Sequence, residues 1–227
     1  MARRSLTIAI DGPAGAGKST SARDLAQALG LRYIDTGAMY RGVAWAAVRA
    51  GIEPDNRRQV NKILARTRLT FSDEKKPRLF VDGQDASAAI RTPDVSQAAS
   101  RLATVPEVRT YLVRAQRALA RGGGVVMEGR DIGTVVLPNA DLKFFLDASV
   151  EERARRRWKE LRAKGKRDSL KAIAAAIGER DHRDRTRAVS PLRAASDAVV
   201  LDTTHDSRAR VKRLLLDWVR RKTNRAR

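Results

Sequence analysis

Short apolar runs alternate along the chain with longer segments whose apolar residues recur every three to four positions. Leu6–Ile10 is a β-branched apolar run that stops at Asp11 before a glycine-rich turn, and such a run predicts a buried strand. Ser19–Leu29 predicts a helix with Gly30 as its stop signal. Leu31–Ile34 predicts a second strand, followed by a turn at Asp35–Gly37 and a helix over Ala38–Ala50 that ends at Gly51. Gly124–Met127, Leu142–Leu146 and Ala198–Leu201 predict further strands, and Val150–Ala163, Leu170–Arg187 and Ser207–Lys222 predict helices. Thr104-Val105-Pro106-Glu107 has capping-box spacing and opens a helix to about Arg121. Strands that alternate with helices argue for an α/β fold, a parallel sheet with helices on both faces. The alternation breaks over Asn61–Thr92. There, Arg68–Ser72 and Arg78–Asp82 predict two short strands around a charged turn, and Asp82–Gly83 is a tight-turn signal. The stretch at about 61–92 reads as a β insertion in a single domain whose core is formed by 1–60, 93–150 and 188–227.

Composition narrows the chemistry. A chain of 227 residues with 42% hydrophobic residues can bury one sizeable core. It has no cysteine, which excludes disulfides and thiolate metal sites. Its two histidines, His182 and His205, have no pair spacing, which argues against a zinc centre or a Ser–His–Asp triad. Two arginines in Met1–Ser5 precede an apolar run that stops at Asp11. That run is too short for a signal core or a membrane span, so a cytoplasmic location without membrane association is expected. The net charge of +21 fits a solvated basic surface or an anionic partner, whether nucleic acid, acidic lipid or a phosphorylated small molecule. Aromatic residues are only 4% of the chain, and Trp158 and Trp218 each stand alone beside basic runs. That pattern argues against a nucleic-acid partner, since single-strand binding uses several stacking platforms.

Gly12-Pro13-Ala14-Gly15-Ala16-Gly17-Lys18-Ser19-Thr20 contains the pattern G-x-x-x-x-G-K-[ST], with a predicted strand before it and a predicted helix after it. Glycines let successive backbone N–H groups turn inward on phosphate oxygens, and the helix start adds its positive end. Lys18 can neutralise charge on β- and γ-phosphates, and Ser19 can bind Mg²⁺. The segment therefore predicts ATP as co-substrate with Mg²⁺, on a P-loop type of sheet. Asn61-Lys62-Ile63-Leu64 lacks the aspartate of the guanine-reading N-K-x-D pattern, which discounts a GTPase. Asp147 and Asp202 follow predicted strands and are candidates for the metal-holding acid of a hydrolysing ATPase, although short strands often end in Asp for turn reasons alone.

A kinase of small phosphorylated substrates must also hold a second phosphate, and arginines fork onto phosphate oxygens. Arg41 follows Asp35–Tyr40, and Arg130 sits in Glu128-Gly129-Arg130-Asp131 after a predicted strand, where open α/β sheets place ligands. Arg180, Asp184 and Arg187 are spaced by four and three on a predicted helix. On spacing alone they form a surface ion-pair ladder or a shared binding face.

Ile10–Thr20, Asp35–Arg41, Ile90-Arg91-Thr92, Glu128–Thr134, Phe144–Arg157 and Glu179–Leu192 together make the chain resemble the bacterial cytidylate kinases, a nucleoside monophosphate kinase family. The resemblance implies phosphoryl transfer from ATP to CMP or dCMP, and a monomer is expected. It implies that Arg41, Arg130 and Arg187 hold the CMP phosphate, that Ser100, Arg109 and Asp131 read the cytosine, and that Arg180 and Asp184 contact the sugar. The β insertion fits the enlarged monophosphate-binding region of that family. The basic stretch Arg153–Arg157 would belong to a helical lid, about 151–187, with Arg153 and Arg157 facing the phosphates and Arg157 acting in catalysis beside Lys18 and Arg130. Thr36 stands where the family often has Ser and keeps a hydroxyl for substrate. Glu128 stands where it often has Asp. A carboxylate at Asp131 would accept from the cytosine N4 amino group and would face the uracil acceptor unfavourably. The competing readings are another P-loop kinase, acting on AMP or shikimate, and a basic nucleic-acid-binding ATPase.

Overall fold

The computed structural model describes residues 6–72, 74, 77–163 and 165–225. The basic start at 1–5 and most of the charged turn at 73–76 lie outside the described residues. The chain divides into two compact units, one made of the residues up to Ile34 and from Ala120 onward, the other of Asp35–Leu119. In chain order the first elements are β1 (Thr7–Asp11), α1 (Lys18–Leu29), β2 (Arg32–Asp35), α2 (Thr36–Arg49), α3 (Arg57–Arg66), β3 (Leu69–Phe71), β4 (Leu79–Val81) and β5 (Gln84–Asp85). A 3₁₀ turn at Ala89–Arg91 leads to α4 (Pro93–Leu102) and α5 (Pro106–Leu119). Then come β6 (Val125–Glu128), a π-helical turn at Ile132–Val136, β7 (Leu142–Asp147), α6 (Val150–Arg162), α7 (Leu170–Thr186), β8 (Val199–Asp202) and α8 (Arg208–Arg225).

The first unit is built on a parallel five-stranded sheet in the order β2-β6-β1-β7-β8. β1 lies at its centre, with Ile8 opposite Val126 of β6 and Leu142 of β7. A central strand buried on both faces must be apolar at successive positions, which is why Ile8, Ala9 and Ile10 form an unbroken run. Ile8, Ile10, Leu25, Phe144 and Leu146 pack with Val211, Leu215 and Val219 of α8. The 4-4 spacing of the α8 residues places them on one stripe of the helix. β8 is an edge strand and alternates in exposure, with Val200 60% exposed.

The second unit has its own core, in which Met39 and Val43 of α2 meet Val60, Leu79, Val81, Leu102 and Leu112. β3, β4 and β5 form the antiparallel sheet expected of the insertion, and Asp82 and Gly83, both with positive φ, make its tight turn. Part of that stretch is helical, however. α3 covers Arg57–Arg66, because Val60, Ile63 and Leu64 supply an apolar face and Asn56 caps it by accepting from the Gln59 N–H at 3.2 Å. α4 follows Thr92, whose hydroxyl accepts from the Val95 N–H at 3.4 Å, with Pro93 at the first helical position. The segment read as a turn at Asp35–Gly37 is the start of α2, with Asp35 as its cap. Thr104 does not form the expected capping box. Its hydroxyl donates back to the Arg101 carbonyl at 2.7 Å, and α5 begins at Pro106.

Leu215 is fully buried in the first unit while Val200 is exposed on the edge strand. Leu215→Ala should lower unfolding free energy by about 2–5 kcal/mol, and Val200→Ala should change it by less than about 0.5 kcal/mol. Urea unfolding of the two variants checks the contrast.

Candidate active site

β1 delivers the chain to the glycine-rich loop through Gly12, which has φ +144°. A Cβ there would stand 1.9 Å from the Leu146 carbonyl oxygen of β7, so no other residue fits between the two strands. At the loop's far end Gly17 caps α1 in the left-handed conformation, with no side-chain capping bond and no acid in the first turn. The first N–H groups and the positive end of α1 are thus left to an anion. The loop is braced from behind. The buried Arg153 of α6 donates to the Ala14 carbonyl at 3.1 Å, and the Thr203 hydroxyl lies 3.3 Å from the Ala16 carbonyl oxygen.

Lys18 is buried, and its Nζ donates to the Pro13 carbonyl at 2.6 Å. Burial and then the neighbouring Arg130 push its pKa down to about 7. Arg180 adds to this, and Glu128 and Asp11 act against it. The Ser19 hydroxyl donates to Glu128 Oε1 at 2.6 Å, and the Tyr33 hydroxyl donates to the same oxygen at 3.1 Å. Glu128 ends β6 and is itself buried. Arg130 Nε donates to Asp184 Oδ2 at 3.0 Å. Burial drives the Asp184 carboxyl upward, but Arg130, Arg180 and Arg187 outweigh it and hold the group below the usual carboxylate range. Arg187 Nη2 lies 4.0 Å from Asp131 Oδ1, and both residues are buried. The first unit therefore gathers Lys18, Ser19, Glu128, Arg130, Asp131, Arg180, Asp184 and Arg187 around the end of the loop.

Two expectations change. Arg180, Asp184 and Arg187 do not lie on one helix face, because α7 ends at Thr186 and Arg187 is extended, its Nε donating to the Ser190 carbonyl at 2.7 Å. Asp184 bonds Arg130, 54 residues away, while the charges of Arg180 and Arg187 also act on it. Arg153 and Arg157 also diverge. Arg153 is tied to Asp181 of α7 at 2.6 Å, whereas Arg157 is exposed and pairs with Glu160 at 3.0 Å. Asp147 and Asp202, weighed as metal-holding acids, each accept from nearby backbone N–H groups, Asp147 from Ala148 and Asp202 from Thr204.

Thr36, Arg41, Ser100 and Arg109 belong to the second unit. Asp35 caps α2 through the Ala38 N–H at 2.8 Å, and its other oxygen receives Arg41 Nη2 at 3.1 Å. Thr36 and Ser100 are buried. Arg109 is buried beneath the ring of Tyr40, with its guanidinium 5.9 Å from the ring centre and Nη1 donating to the Ala103 carbonyl at 3.3 Å.

Sequence reasoning missed Asp11, Tyr33 and Asp181. Asp11 carried a signal, since it is the acid at the end of the strand that enters the loop. Tyr33 and Asp181 carried none, because their partners lie 95 and 28 residues away.

The loop, the sheet order and the buried lysine together define a phosphate-loop α/β protein of the nucleotide-kinase type. A solved structure of an uncharacterised protein from Eubacterium ventriosum shares the fold at TM-score 0.50 and 10% identity, covering 94% of this chain and 98% of that one. The cytidylate kinase family model matches residues 8–221, and the chain belongs to that family. It is 53% identical over 202 residues to the cytidylate kinase of Desulfitobacterium hafniense, covering 89% of this chain and 87% of that protein. It is 49% identical over 224 residues to the cytidylate kinase of Mycolicibacterium paratuberculosis, covering 98% of each. Among the described residues no helix is long and apolar enough to cross a membrane.

A triphosphate on the loop favours the charged form of Lys18 and raises its depressed pKa. Above about pH 7 the complex then holds more protons than the free protein. Binding of a non-hydrolysable ATP analogue at pH 8 should therefore take up protons and weaken as pH rises further. Titration calorimetry in two buffers of different ionisation enthalpy measures the uptake, and Lys18→Met should remove it.

Proposed function

We propose that this chain transfers the γ-phosphoryl group of ATP to CMP, and to dCMP, giving ADP and the nucleoside diphosphate. The observation that carries the reading is the convergence of Lys18, Arg130 and Arg180 with buried Asp131 and Arg187 beside a phosphate loop. It is supported by family membership and by the names of the cytidylate kinase relatives. In this reading Gly12–Thr20 wrap the ATP phosphates with backbone N–H groups, and Lys18 supplies charge at the β- and γ-oxygens. Arg41, Arg130 and Arg187 hold the CMP phosphate, Ser100, Arg109 and Asp131 read the cytosine, and Arg180 and Asp184 contact the sugar. Thr36 adds a hydroxyl toward the substrate. Arg157, on the exposed face of α6, is free to reach a transferring phosphoryl group when its pair with Glu160 opens, as expected of a lid residue.

Mg²⁺ fits the donors present. Ser19 offers a hydroxyl oxygen with the buried carboxylate of Glu128 bonded to it, and hard cations prefer such oxygens. The described residues hold no group of three or more acids, histidines or cysteines that could cage a metal, which suits an ion held mostly by phosphates with Ser19. Such an ion would neutralise phosphate charge. The protein's own part is to orient both phosphates, present fixed positive charge and exclude water, which would otherwise compete as acceptor. Phosphoryl transfer needs no protein nucleophile. A monomer in the cytoplasm is the expected working form.

A coupled assay with ATP and CMP, dCMP, UMP or AMP tests the acceptor, and turnover of CMP and dCMP well above the others is expected. AMP as the best acceptor would overturn the reading. Binding of RNA or DNA with steep salt dependence, without monophosphate turnover, would favour a nucleic-acid ATPase instead. Lys18→Ala should abolish transfer without unfolding the protein, as followed by circular dichroism. Asp131→Ala should narrow the CMP-to-UMP ratio of kcat/KM, since a site built to bond one base edge rejects the other strongly.

A further inference from the structure

Asp11 is absent from every role assigned above, yet it is a buried acid at the centre of the first unit. It is the last residue of β1, and its backbone leads directly into Gly12. Its side chain turns the other way. Oδ1 accepts from the Ile132 N–H at 2.8 Å and Oδ2 from the Gly133 N–H at 2.7 Å. These two N–H groups open the π-helical turn Ile132–Val136, directly after Arg130 and Asp131. π turns are rare and concentrate at functional sites. The other end of the segment is pinned to the same strand, where the Gly129 N–H donates to the Ile10 carbonyl at 2.9 Å. Arg130 and Asp131 thus span two residues between anchors on Ile10 and Asp11.

The fit at the second anchor is close. A Cβ on Gly133 would stand 3.4 Å from Asp11 Oδ2 and 3.1 Å from the Lys143 side chain. Asp11 raises no ion pair of its own. Burial is the main influence on its charge, followed by the two N–H bonds, with Asp131 opposing ionisation and Lys18 favouring it. Two N–H bonds to one carboxylate fix both the position and the rotation of the peptide that follows Asp131. We propose that Asp11 is a positioning residue that ties the acceptor-side loop of Arg130 and Asp131 to the strand entering the phosphate loop, and so sets acceptor affinity and base choice without touching substrate. The proposal rests on the reading of Arg130 and Asp131 as acceptor-binding groups.

Asp11→Asn keeps the shape but sets an NH₂ against one of the two N–H donors. Gly133→Ala disturbs the same contact from the loop side and leaves the carboxylate in place, so it carries the test if Asp11→Asn fails to fold. Either variant should lower kcat/KM for CMP by about 10- to 100-fold, the scale of a misplacement of about 1 Å. The CMP-to-UMP ratio should fall severalfold, while the Kd of a non-hydrolysable ATP analogue stays within about twofold. A purely structural role would degrade both substrates alike and leave the base ratio unchanged. An unchanged ratio, or an ATP-analogue affinity that falls as far as the CMP term, overturns the proposal. Wild-type turnover across CMP, dCMP, UMP and AMP separates the two ideas. If another monophosphate is the true acceptor, the variants are scored on that acceptor and its nearest competitor, and Asp11 stands or falls on that ratio.

Discussion

Lys18, buried at the end of the loop, is pressed by the like charges of Arg130 and Arg180. Like charges held this way cost on the order of several kcal/mol per uncompensated ion. The first unit offsets that cost with acids placed one by one. Asp184 takes Arg130, Glu128 and Asp11 face Lys18, and Asp131 faces Arg187. The compensation is incomplete at Lys18, whose pKa stays depressed. A ligand carrying several negative oxygens completes it. The energy spent holding the cations together in advance is energy that the anion does not have to spend when it arrives. The positions of Glu128 and Asp184 follow from this one requirement.

The sheet makes the requirement possible. β1 is buried on both faces, so the loop that follows it leaves from a fixed point. Gly12 allows that departure within reach of β7, and Arg153 and Thr203 hold the loop from behind. α7 has a double role. Asp181 and Asp184 are three apart and share a face. One ties to Arg153 behind the loop and the other to Arg130. A single helix therefore connects the support of the triphosphate side with the arginine assigned to the acceptor.

The second unit solves a smaller problem with local means. Asp35 caps α2 and draws Arg41 back over its first turn. Arg109 is kept under Tyr40 by stacking and a backbone carbonyl. Both arginines are held in place by the unit's own groups, which would remove part of the ordering entropy that their proposed contacts with substrate otherwise have to overcome. The charge on the outer helix faces is handled differently. Many surface arginines pair with acids three or four residues along a helix, and Arg162 and Arg221 lie over the lone tryptophans Trp158 and Trp218. Each of these tryptophans has an arginine of its own helix against its ring.

The sequence alone determined what depends on near neighbours. The apolar run of β1, the glycine spacing of the loop, the Asp82–Gly83 turn and the alternation of strands with helices all follow from local sterics and burial periodicity. Family-specific residues at Glu128–Thr134 and Glu179–Leu192 pointed to the correct family. Short amphipathic α3 escaped because its three apolar residues sit among charges, where a strand reading of the surroundings prevailed. Tertiary structure decided which charges meet. Spacing suggested that Arg180, Asp184 and Arg187 formed one ladder and that Arg153 and Arg157 acted together, yet Asp184 bonds Arg130 and Arg153 bonds Asp181. A buried charge selects the partner that packing brings within about 3 Å, whatever its distance along the chain. The phosphate loop was legible because its work is done by backbone and glycine. Asp11 stands out in the sequence at the end of its strand, but what it binds, and the part played by Asp181, became visible only when the strands and helices were brought together.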